Sequence, residues 1–270
     1  ILTGNIKKME RKKIINDLES GEIQLIVGTH ALIQEGVNFK DLGLIIVDEQ
    51  HRFGVQQRKD LINKSYFPEV LALTATPIPR TLAFTIHGDM ELSIIDELPK
   101  NRLPIITKVT KPENTEKVYD FMKKEMDSKR QCFVIYPIIE ESEKMDWKAA
   151  DTGYKHLSKK VFQDYSIGYI HGKMKKEERD AQMEAMADNK IQCLVATTVV
   201  EVGIDIPNAT IMVIENAERF GLTQLHQLRG RIGRGTEQSY CILIQHGKTP
   251  DSIHRLKVME STSNGFKISD

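Results

Sequence analysis

The chain contains an internal repeat, and this repeat limits its fold more than any other feature of the sequence. Residues 4–30, GNIKKMERKKIINDLESGEIQLIVGTH, align without a gap with residues 172–198, GKMKKEERDAQMEAMADNKIQCLVATT. In each copy a short strand ends in glycine, a charged amphipathic helix follows, and a buried strand then ends in threonine. Such units with continuous apolar strands are typical of a parallel sheet that is covered on both faces. The sequence therefore predicts an α/β fold made of two similar domains in tandem.

The boundary between the two predicted domains lies near residues 96–105, DELPKNRLPI. Two prolines and several charged residues in so short a stretch are typical of a linker. We therefore predict a first domain over residues 1–103 and a second over residues 104–270. Within the second domain the polar stretch 140–160 carries no strong signal, and we predict a surface insertion there.

Composition and charge are those of an ordinary globular chain. Of the 270 residues, 40% are hydrophobic and 28% are charged, and the formal net charge is zero. The field of the whole chain therefore does not attract a polyanion, and the lysine-rich stretches 7–13 and 173–179 are interpreted as solvated helix faces.

No apolar run approaches the roughly 18 residues that a membrane span needs, so no membrane partner is expected. The three cysteines lie in apolar runs without the spacing of metal ligands, which predicts buried thiols in a reducing cytoplasm.

An apolar strand runs directly into an acidic pair in residues 44–54, LIIVDEQHRFG. Ligands of open parallel sheets bind beyond the carboxyl ends of the strands, and Asp48 and Glu49 are predicted to lie at such an end. There Asp48 can hold Mg²⁺ through water, and Glu49 can orient or deprotonate the water that attacks a nucleotide. The alternative is that both carboxylates only face solvent at the end of a strand.

The next predicted strand, in VLALTATPIPRT over residues 70–81, also ends in polar side chains. The hydroxyl groups of Thr74 and Thr76 can hydrogen-bond the acidic pair and His51. Such bonds would provide a way to sense whether a terminal phosphate is present. Taken alone, both threonines could also be ordinary strand residues.

Arginine and glycine residues are interleaved near the end of the second domain, in HQLRGRIGRG over residues 226–235. Glycine lets a backbone approach a ligand closely, and the planar guanidinium groups of Arg229, Arg231 and Arg234 suit phosphate oxygens. On a helix predicted after LTQLHQL, they would reach a nucleotide held by the first domain, as arginine fingers do. The alternative is a basic turn that faces solvent.

In this order and spacing, the stretches DEQH, TAT, ATTVVEVGIDIP and QLRGRIGR resemble motifs II, III, V and VI of superfamily 2 helicases. The longer stretches DEQHRFGVQQR, TATPIPRTLAFTIHGDMELSIIDELP and ERFGLTQLHQLRGRIGRG are most similar to the RecG family of bacterial ATP-dependent DNA helicases. The resemblance runs over essentially the whole chain. It implies two tandem RecA-like domains, with motifs Ib to III in residues 1–103 and motifs IV to VI in residues 104–270.

The same resemblance implies an activity and its cofactors. A protein of this family uses ATP and Mg²⁺ to translocate on branched double-stranded DNA, such as stalled forks and Holliday junctions. This activity serves recombination and repair in the bacterial cytoplasm.

The resemblance also implies a role for each residue that matches a motif. Asp48 would bind Mg²⁺ and Glu49 would be the catalytic base, while Arg231 and Arg234 would reach the phosphates. The residues implied to couple the nucleotide state to domain movement are Gln50, His51, Thr74 and Thr76. The residues implied to line a nucleotide cleft between the domains are Gly203, Asp205 and Gln227. The residues implied to approach DNA phosphates, one pair in each domain and without reading bases, are Gly4, Thr29, Gly172 and Thr197.

The sequence contains no phosphate-binding loop of the form G-x-x-x-x-G-K-[ST], which an enzyme of this kind needs to wrap the phosphates. In the family, this loop and the wedge domain that splits a DNA junction precede the residues matched here. We therefore expect a first domain that is truncated at its N-terminus and has an unpaired sheet edge, and a better-formed second domain. We also expect that the chain alone does not hydrolyse ATP measurably, because nothing holds the phosphates in line.

Two other interpretations stay open from the sequence. The translocase module of a transcription-repair coupling factor shares these motifs, although DEQH and GDMELSIIDELP favour the RecG family. A non-catalytic nucleic-acid-binding or scaffold protein is favoured by the missing phosphate-binding loop. The intact acidic pair and both finger arginines oppose that interpretation, because a protein without catalysis has no chemical need for them.

Overall fold

The computed structural model of the chain describes residues 1–4, 6–50, 53–74, 91–95, 97, 99, 102–138, 143–197, 205–247, 249–263 and 265. The chain forms two compact units, Ile1–Thr76 and Pro77–Asp270. The linker predicted over residues 96–105 includes residues outside this description, so the domain boundary at residue 103 stays a prediction. The described helices include none whose length and apolar character would suit a membrane span.

The first unit contains a small parallel sheet, two helices and a short 3-10 turn. These elements are α1 (Lys8–Ser20), the 3-10 turn His30–Leu32, β1 (Leu44–Val47), α2 (Val55–Ile62) and β2 (Glu69–Ala72). Strands β1 and β2 pair in parallel, with Ile45 opposite Val70. Helix α1 ends at Gly21, whose φ of 84° is left-handed and lets its N–H reach the carbonyl of Leu18. The buried side chains of this unit include Leu2, Leu18, Ala31 and Val37.

The buried strand predicted in the first repeat copy, over residues 23–29, does not form. Its strand-like pairing among the described residues is an isolated parallel bridge between Leu2 and Gly28. Leu25 and Val27 are 84% and 64% exposed. Strand β1 is likewise covered on one face, since Ile45 is buried while Ile46 is 58% exposed. The prediction of a sheet covered on both faces is therefore wrong for the first unit as described.

The second unit contains a six-stranded, fully parallel sheet. Its strands are β3 (Ile106–Thr110), β4 (Gln131–Tyr136), β5 (Ile167–Ile170), β6 (Cys193–Thr197), β7 (Ala209–Ile214) and β8 (Tyr240–Ile244). They lie in the order β3-β8-β7-β4-β6-β5. Every described residue of β6 and β7 is buried, as expected for central strands of a parallel sheet covered on both faces. Here the prediction from the repeat is confirmed.

Helices cover both faces of this sheet. They are α3 (Thr115–Asp127), α4 (Glu143–His156) with the π turn Leu157–Val161, α5 (Lys176–Ala187), α6 (Leu222–Arg229) and α7 (Pro250–Ser261), with 3-10 turns at Pro112–Asn114 and Ala217–Arg219. Helices α5, α6 and α7 pack on one face through residues such as Met186, Leu225 and Met259. Helix α3 and the π turn pack on the other face through Met122 and Leu157. All three cysteines are buried free thiols, as predicted.

The polar stretch 140–160 is a structural element of the second unit and not a surface insertion. Its described residues, 143–160, form all of α4 and most of the π turn, and Ala150 and Leu157 among them are buried. The ring of Tyr154 stacks on that of Tyr169, with centroids 4.7 Å apart. A Cβ atom at Gly153 would overlap the ring of Tyr136, so this glycine lets α4 approach β4 closely. The prediction failed because few apolar residues, widely spaced, are enough to bury one stripe of a mostly polar helix.

Candidate nucleotide and nucleic-acid sites

The acidic pair of the first unit lies at the carboxyl end of β1, as predicted. Asp48 is exposed and follows directly on Val47, which is buried. The backbone of Glu49 has a φ of 49°, in the left-handed region, and its N–H donates to Oδ1 of Asp48 at 2.9 Å. A non-glycine residue in this region carries backbone strain, which is often found at functional sites. The turn presents two carboxylates beyond the strand end, where ligands of parallel sheets bind.

A backbone hydrogen bond joins the segments that follow β1 and β2. The N–H of Gln50 donates to the carbonyl of Leu73 at 3.3 Å. The side-chain oxygen of Gln50 accepts a bond from Nη1 of Arg58 at 3.3 Å, and Gln50 is only 8% exposed. The turn after β1 is thereby tied to the segment that leads into Thr74, which is exposed. His51 and Thr76 lie outside the described residues, so the hydrogen bonds predicted for them stay predictions.

The donor set near Asp48 suits a cation that keeps most of its water. Among the described residues, no three His, Cys, Asp or Glu side chains come together in a way that could hold a metal ion by themselves. Mg²⁺ usually retains several waters and binds through one or two carboxylates together with substrate phosphates. An exposed carboxylate such as Asp48 therefore fits Mg²⁺ that arrives with a nucleotide better than it fits a permanently bound metal.

The arginine-rich segment of the second unit is a loop, and not a continuation of the helix. Helix α6 ends at Arg229, and the N–H of Gly230 caps it by donating to the carbonyl of His226 at 3.0 Å. Arg231 and Arg234 follow in the loop, which corrects the prediction that the helix carries them. Gly233 has a φ of 71°, a conformation that side chains rarely adopt. The helix stops because this glycine-rich stretch favours turns over helix.

The loop places Arg234 against a second predicted nucleotide-binding residue. Nη1 of Arg234 lies 3.3 Å from Oδ1 of Asp205, and the two side chains are 26% and 63% exposed. Such an exposed ion pair contributes little to stability, so exchanging the carboxylate for a phosphate costs little. Gln227 and Arg231 are both half-buried. Gly203 lies outside the described residues.

Arg229 is a buried structural residue, which corrects its grouping with the phosphate-facing arginines. It is 3% exposed, and its Nη1 donates to Thr107 Oγ1 and to the carbonyls of Met259 and Thr262 at 3.3, 3.0 and 2.9 Å. Its Nη2 lies 3.1 Å from Nδ1 of His226, whose pKa is lowered by burial and by the guanidinium charge. Neutral His226 can therefore accept this bond. Arg229 ties α6 to β3 and to the end of α7.

Replacing Arg229 with methionine is expected to destabilise the second unit by about 3–5 kcal/mol, or roughly 10 °C in the melting temperature. Methionine fills much of the volume but removes the donor that serves three carbonyl groups and a hydroxyl. The measurement is thermal unfolding of the chain followed by circular dichroism. Arg179→Met on the half-exposed side of α5 serves as the control and should change stability by less than about 1 kcal/mol. Equal stabilities of the two variants would refute this structural role.

The predicted DNA-contacting residues of the second unit share one edge of its sheet. Ile170 is paired with Ala196 in the register of β5 and β6. Thr197 is the last residue of β6, and Gly172 lies two residues beyond the end of the neighbouring strand β5. Thr197 is fully buried, and its Oγ1 has no hydrogen-bond partner among the described residues. A buried hydroxyl without a partner is costly, and the same holds for Thr210 on β7.

The equivalent residues of the first unit are arranged differently. Thr29 is exposed and precedes the 3-10 turn His30–Leu32 without a side-chain cap. A Cβ atom added to Gly4 would meet no atom within 4 Å, so the backbone there is open to approach. The two threonines that the repeat pairs therefore share a sequence position but not an environment.

Replacing Thr197 with valine is expected to leave stability equal or raise it by about 1 kcal/mol, while weakening DNA binding at least threefold. Valine has nearly the same shape and removes the unpaired hydroxyl. The matched control is Thr210→Val on β7, since Thr210 is also buried with an unpartnered Oγ1. Thr210→Val should reproduce the stability change without the loss of affinity. The measurements are thermal unfolding and fluorescence anisotropy with labelled duplex DNA.

Two features of the second unit have no clear signal in the sequence. A cavity of about 330 Å³ lies between β3, β8 and α3 and is lined by residues such as Lys108, Phe121 and Tyr240; its lining includes none of the predicted site residues. Glu215, after β7, is 3.2 Å from Nε2 of His246, after β8. Burial raises the pKa of Glu215, and the bond from His246 opposes that shift. The two residues are far apart in sequence, so only the sheet order brings them together.

Comparison with known protein families agrees with the two-unit organisation. Residues 1–84 match the DEAD/DEAH box helicase family, and residues 112–236 match the helicase conserved C-terminal domain. Together these matches include the acidic pair and the arginine loop.

Individual relatives match over the whole chain. The chain is 53% identical to the ATP-dependent DNA helicase RecG of Synechocystis sp. and 49% identical to that of Bacillus subtilis, in each case over 270 residues. It spans 32% and 40% of the lengths of these two relatives. The similarity is therefore high but concerns well under half of each relative.

Solved structures show the same relationship. A structure of RecG bound to a three-way DNA junction has 43% sequence identity and a TM-score of 0.80, covering 99% of this chain and 35% of that one. A DUF1998 helicase, MrfA, bound to DNA and AMPPNP has 17% identity and a TM-score of 0.68, covering 96% of this chain and 39% of its own; this likeness concerns the fold alone. Both units thus have the tandem RecA-like fold of helicases, and over its whole length the chain is similar to one part of RecG helicases.

Proposed function

We propose that the protein containing this chain is an ATP-dependent translocase and helicase that acts on branched double-stranded DNA in recombination and repair. The observation that carries this proposal is the strained turn that presents Asp48 and Glu49 beyond β1, within a chain that matches RecG helicases over its full length. Relatives of this chain are named as ATP-dependent DNA helicases, and one was solved on a three-way DNA junction. The bacterial cytoplasm is the proposed location.

In the first unit, the proposed chemistry is the activation of water against a terminal phosphate. Mg²⁺ bound with the nucleotide would neutralise charge on the phosphates, and Asp48 is the carboxylate proposed to hold it through water. Glu49 would accept a proton from the attacking water, because its carboxylate lies on the adjoining residue of the same turn. Gln50, His51, Thr74 and Thr76 are proposed to relay the state of the nucleotide to the rest of the unit. The anchoring of Gln50 by Arg58 and Leu73 supports a coupling role.

In the second unit, Arg231 and Arg234 are proposed to donate to the nucleotide phosphates as charge develops in the transition state. Asp205 would hold Arg234 until a phosphate replaces it, in agreement with their 3.3 Å separation. Gly203 and Gln227 are proposed to contact the nucleotide as well.

Movement along DNA is proposed to use phosphate contacts in both units. Gly4 and Thr29 would contact the backbone from the first unit, and Gly172 and Thr197 from the second. Alternating grip by the two threonines, driven by binding and hydrolysis of ATP, would advance the protein along the duplex. The position of Thr197 at the carboxyl end of β6 supports this role. The domain boundary at residue 103 and cooperation with a wedge domain elsewhere in the protein belong to the same proposal.

The test uses the protein at the full length of its relatives. ATP hydrolysis is measured with no DNA, with linear duplex and with a three-way junction, and unwinding of the junction is followed on a gel. We expect hydrolysis to need Mg²⁺, to rise at least tenfold with the junction, and to exceed the rate with linear duplex. Junction affinity should fall steeply with salt, because phosphate contacts release counterions. Hydrolysis that is equally fast without DNA would exclude a DNA translocase.

A further inference from the structure

An aromatic cluster joins α4 to the carboxyl end of β5 in the second unit. Tyr154 stacks on Tyr169 with ring centroids 4.7 Å apart, and Tyr169 lies 5.0 Å from the ring of His171. The edge of His171 meets the ring of Trp147 at 4.5 Å and 85°. Each contact has the stacked, tilted or edge-to-face geometry that aromatic pairs favour. The indole of Trp147 therefore packs on His171, which in turn contacts Tyr169.

Lys173 completes this cluster on the outer side. Its Nζ lies 4.8 Å from the centroid of the Trp147 ring, within the range of a cation–π interaction. A lysine side chain normally samples many conformations, and contact with a rigid ring reduces their number. His171 beneath the indole has a pKa lowered mainly by burial, so it is neutral near pH 7 and does not repel the ammonium group. The lysine is exposed, whereas Trp147 is half-buried.

Lys173 lies at the same sheet edge as Gly172 and Thr197. Ile170 of β5 pairs with Ala196 of β6, and neighbouring strands lie about 5 Å apart. Lys173 is the third residue beyond Ile170, and Thr197 is the first beyond Ala196. The positive charge of Lys173 thus follows Gly172 directly in sequence, at the sheet edge where Thr197 ends β6.

We propose that Trp147 and Lys173 form a DNA phosphate contact of the second unit, in which the indole positions the lysine ammonium for a backbone phosphate beside Gly172. This inference rests on the proposed function, since it extends the DNA-binding edge that Gly172 and Thr197 define. Lys173 is the binding residue and Trp147 is a positioning residue. The contact reads no base, because the ammonium meets only the backbone.

The test uses the 270-residue chain, in which Trp147 is the only tryptophan. Binding of a fluorescein-labelled three-way junction is measured by anisotropy at several salt concentrations, and Trp147 emission is measured separately with unlabelled junction. We expect Lys173→Gln to weaken binding about fivefold and to reduce the salt slope by about one. Trp147→Leu should weaken binding about threefold, while Trp147→Phe, which keeps a ring, should stay within about twofold of the wild type. Saturating junction should change the emission of Trp147.

Lys190→Gln is the matched control, because Lys190 is an exposed lysine paired with Asp188 near the opposite end of β6. It should bind the junction as the wild type does. If Lys173→Gln also binds as tightly as the wild type, or if Trp147 emission is unchanged at saturation, the inference fails while the proposed function stands. If anisotropy detects no binding of the junction by the chain, the inference fails as well, whereas the proposed function is decided separately by DNA-stimulated hydrolysis in the protein at the full length of its relatives. Melting curves of the variants exclude misfolding as the cause of a loss.

Discussion

Replacing Glu49 with glutamine is expected to lower DNA-stimulated ATP hydrolysis by about 10²–10⁴-fold in the protein at the full length of its relatives. Glutamine keeps the size of the side chain and the hydrogen-bonding reach of its oxygen, but it cannot accept a proton from the attacking water. The left-handed backbone at Glu49, with φ of 49°, is equally accessible to glutamine. The measurement is steady-state ATP hydrolysis with and without a three-way junction, together with junction affinity by anisotropy. Affinity should stay within about twofold, because Glu49 is proposed to act on the nucleotide and not to contact DNA.

The control for this prediction is Glu69→Gln. Glu69 is an exposed glutamate at the first position of β2, paired with Leu44 at the opposite end of the same two strands. It has the same chemistry and lies in the same unit, but it is far from the turn after β1. Hydrolysis by Glu69→Gln should stay near the wild-type rate. Comparable losses in the two variants would indicate a general loss of structure and would remove Glu49 from its proposed role.

The sequence was enough to predict those features that depend on local pattern. The repeat predicted two tandem α/β units, because strand–helix–strand patterning is read directly from periodicity. The prediction from the repeat was correct for the second unit, whose β5, α5 and β6 follow the predicted order of strand, helix and strand. It failed for residues 23–29 of the first unit, because an apolar segment becomes a strand only where neighbouring strands satisfy its backbone. The polar ends of β1 and β2 were likewise predicted from residue order alone.

The sequence was not enough where a role depends on contacts between distant residues. Arg229, Arg231 and Arg234 are chemically alike and two or three residues apart, yet only Arg229 turns inward to Thr107 and Met259. The direction each side chain takes depends on where the helix ends and on the approach of α7, neither of which the local sequence specifies. The cluster around Trp147 was missed for the same reason, since α4 was interpreted as a surface insertion.

Replacing Arg234 with alanine is expected to lower the DNA-stimulated turnover of ATP by about 10³-fold in the protein at the full length of its relatives, the effect typical of an arginine finger. The guanidinium would stabilise charge that develops on the phosphates, so the loss should appear in kcat more than in KM. Lysine in place of Arg234 should recover only part of the rate, because it keeps the charge but not the planar pair of donors.

Asp205→Asn separates this role from a structural one. If Arg234 served only to pair with Asp205, the two variants would behave alike, since either change breaks the 3.3 Å ion pair. The pair is exposed and contributes little to stability, so Asp205→Asn should retain most of the turnover while Arg234→Ala loses it. Arg130→Gln, which removes another partly buried arginine of the same unit from its pairs with Glu125 and Glu237, controls for loss of charge. Full activity of Arg234→Ala would mean that the arginine loop after α6 does not act on the nucleotide. The proposed motor would then lack the group that stabilises its transition state.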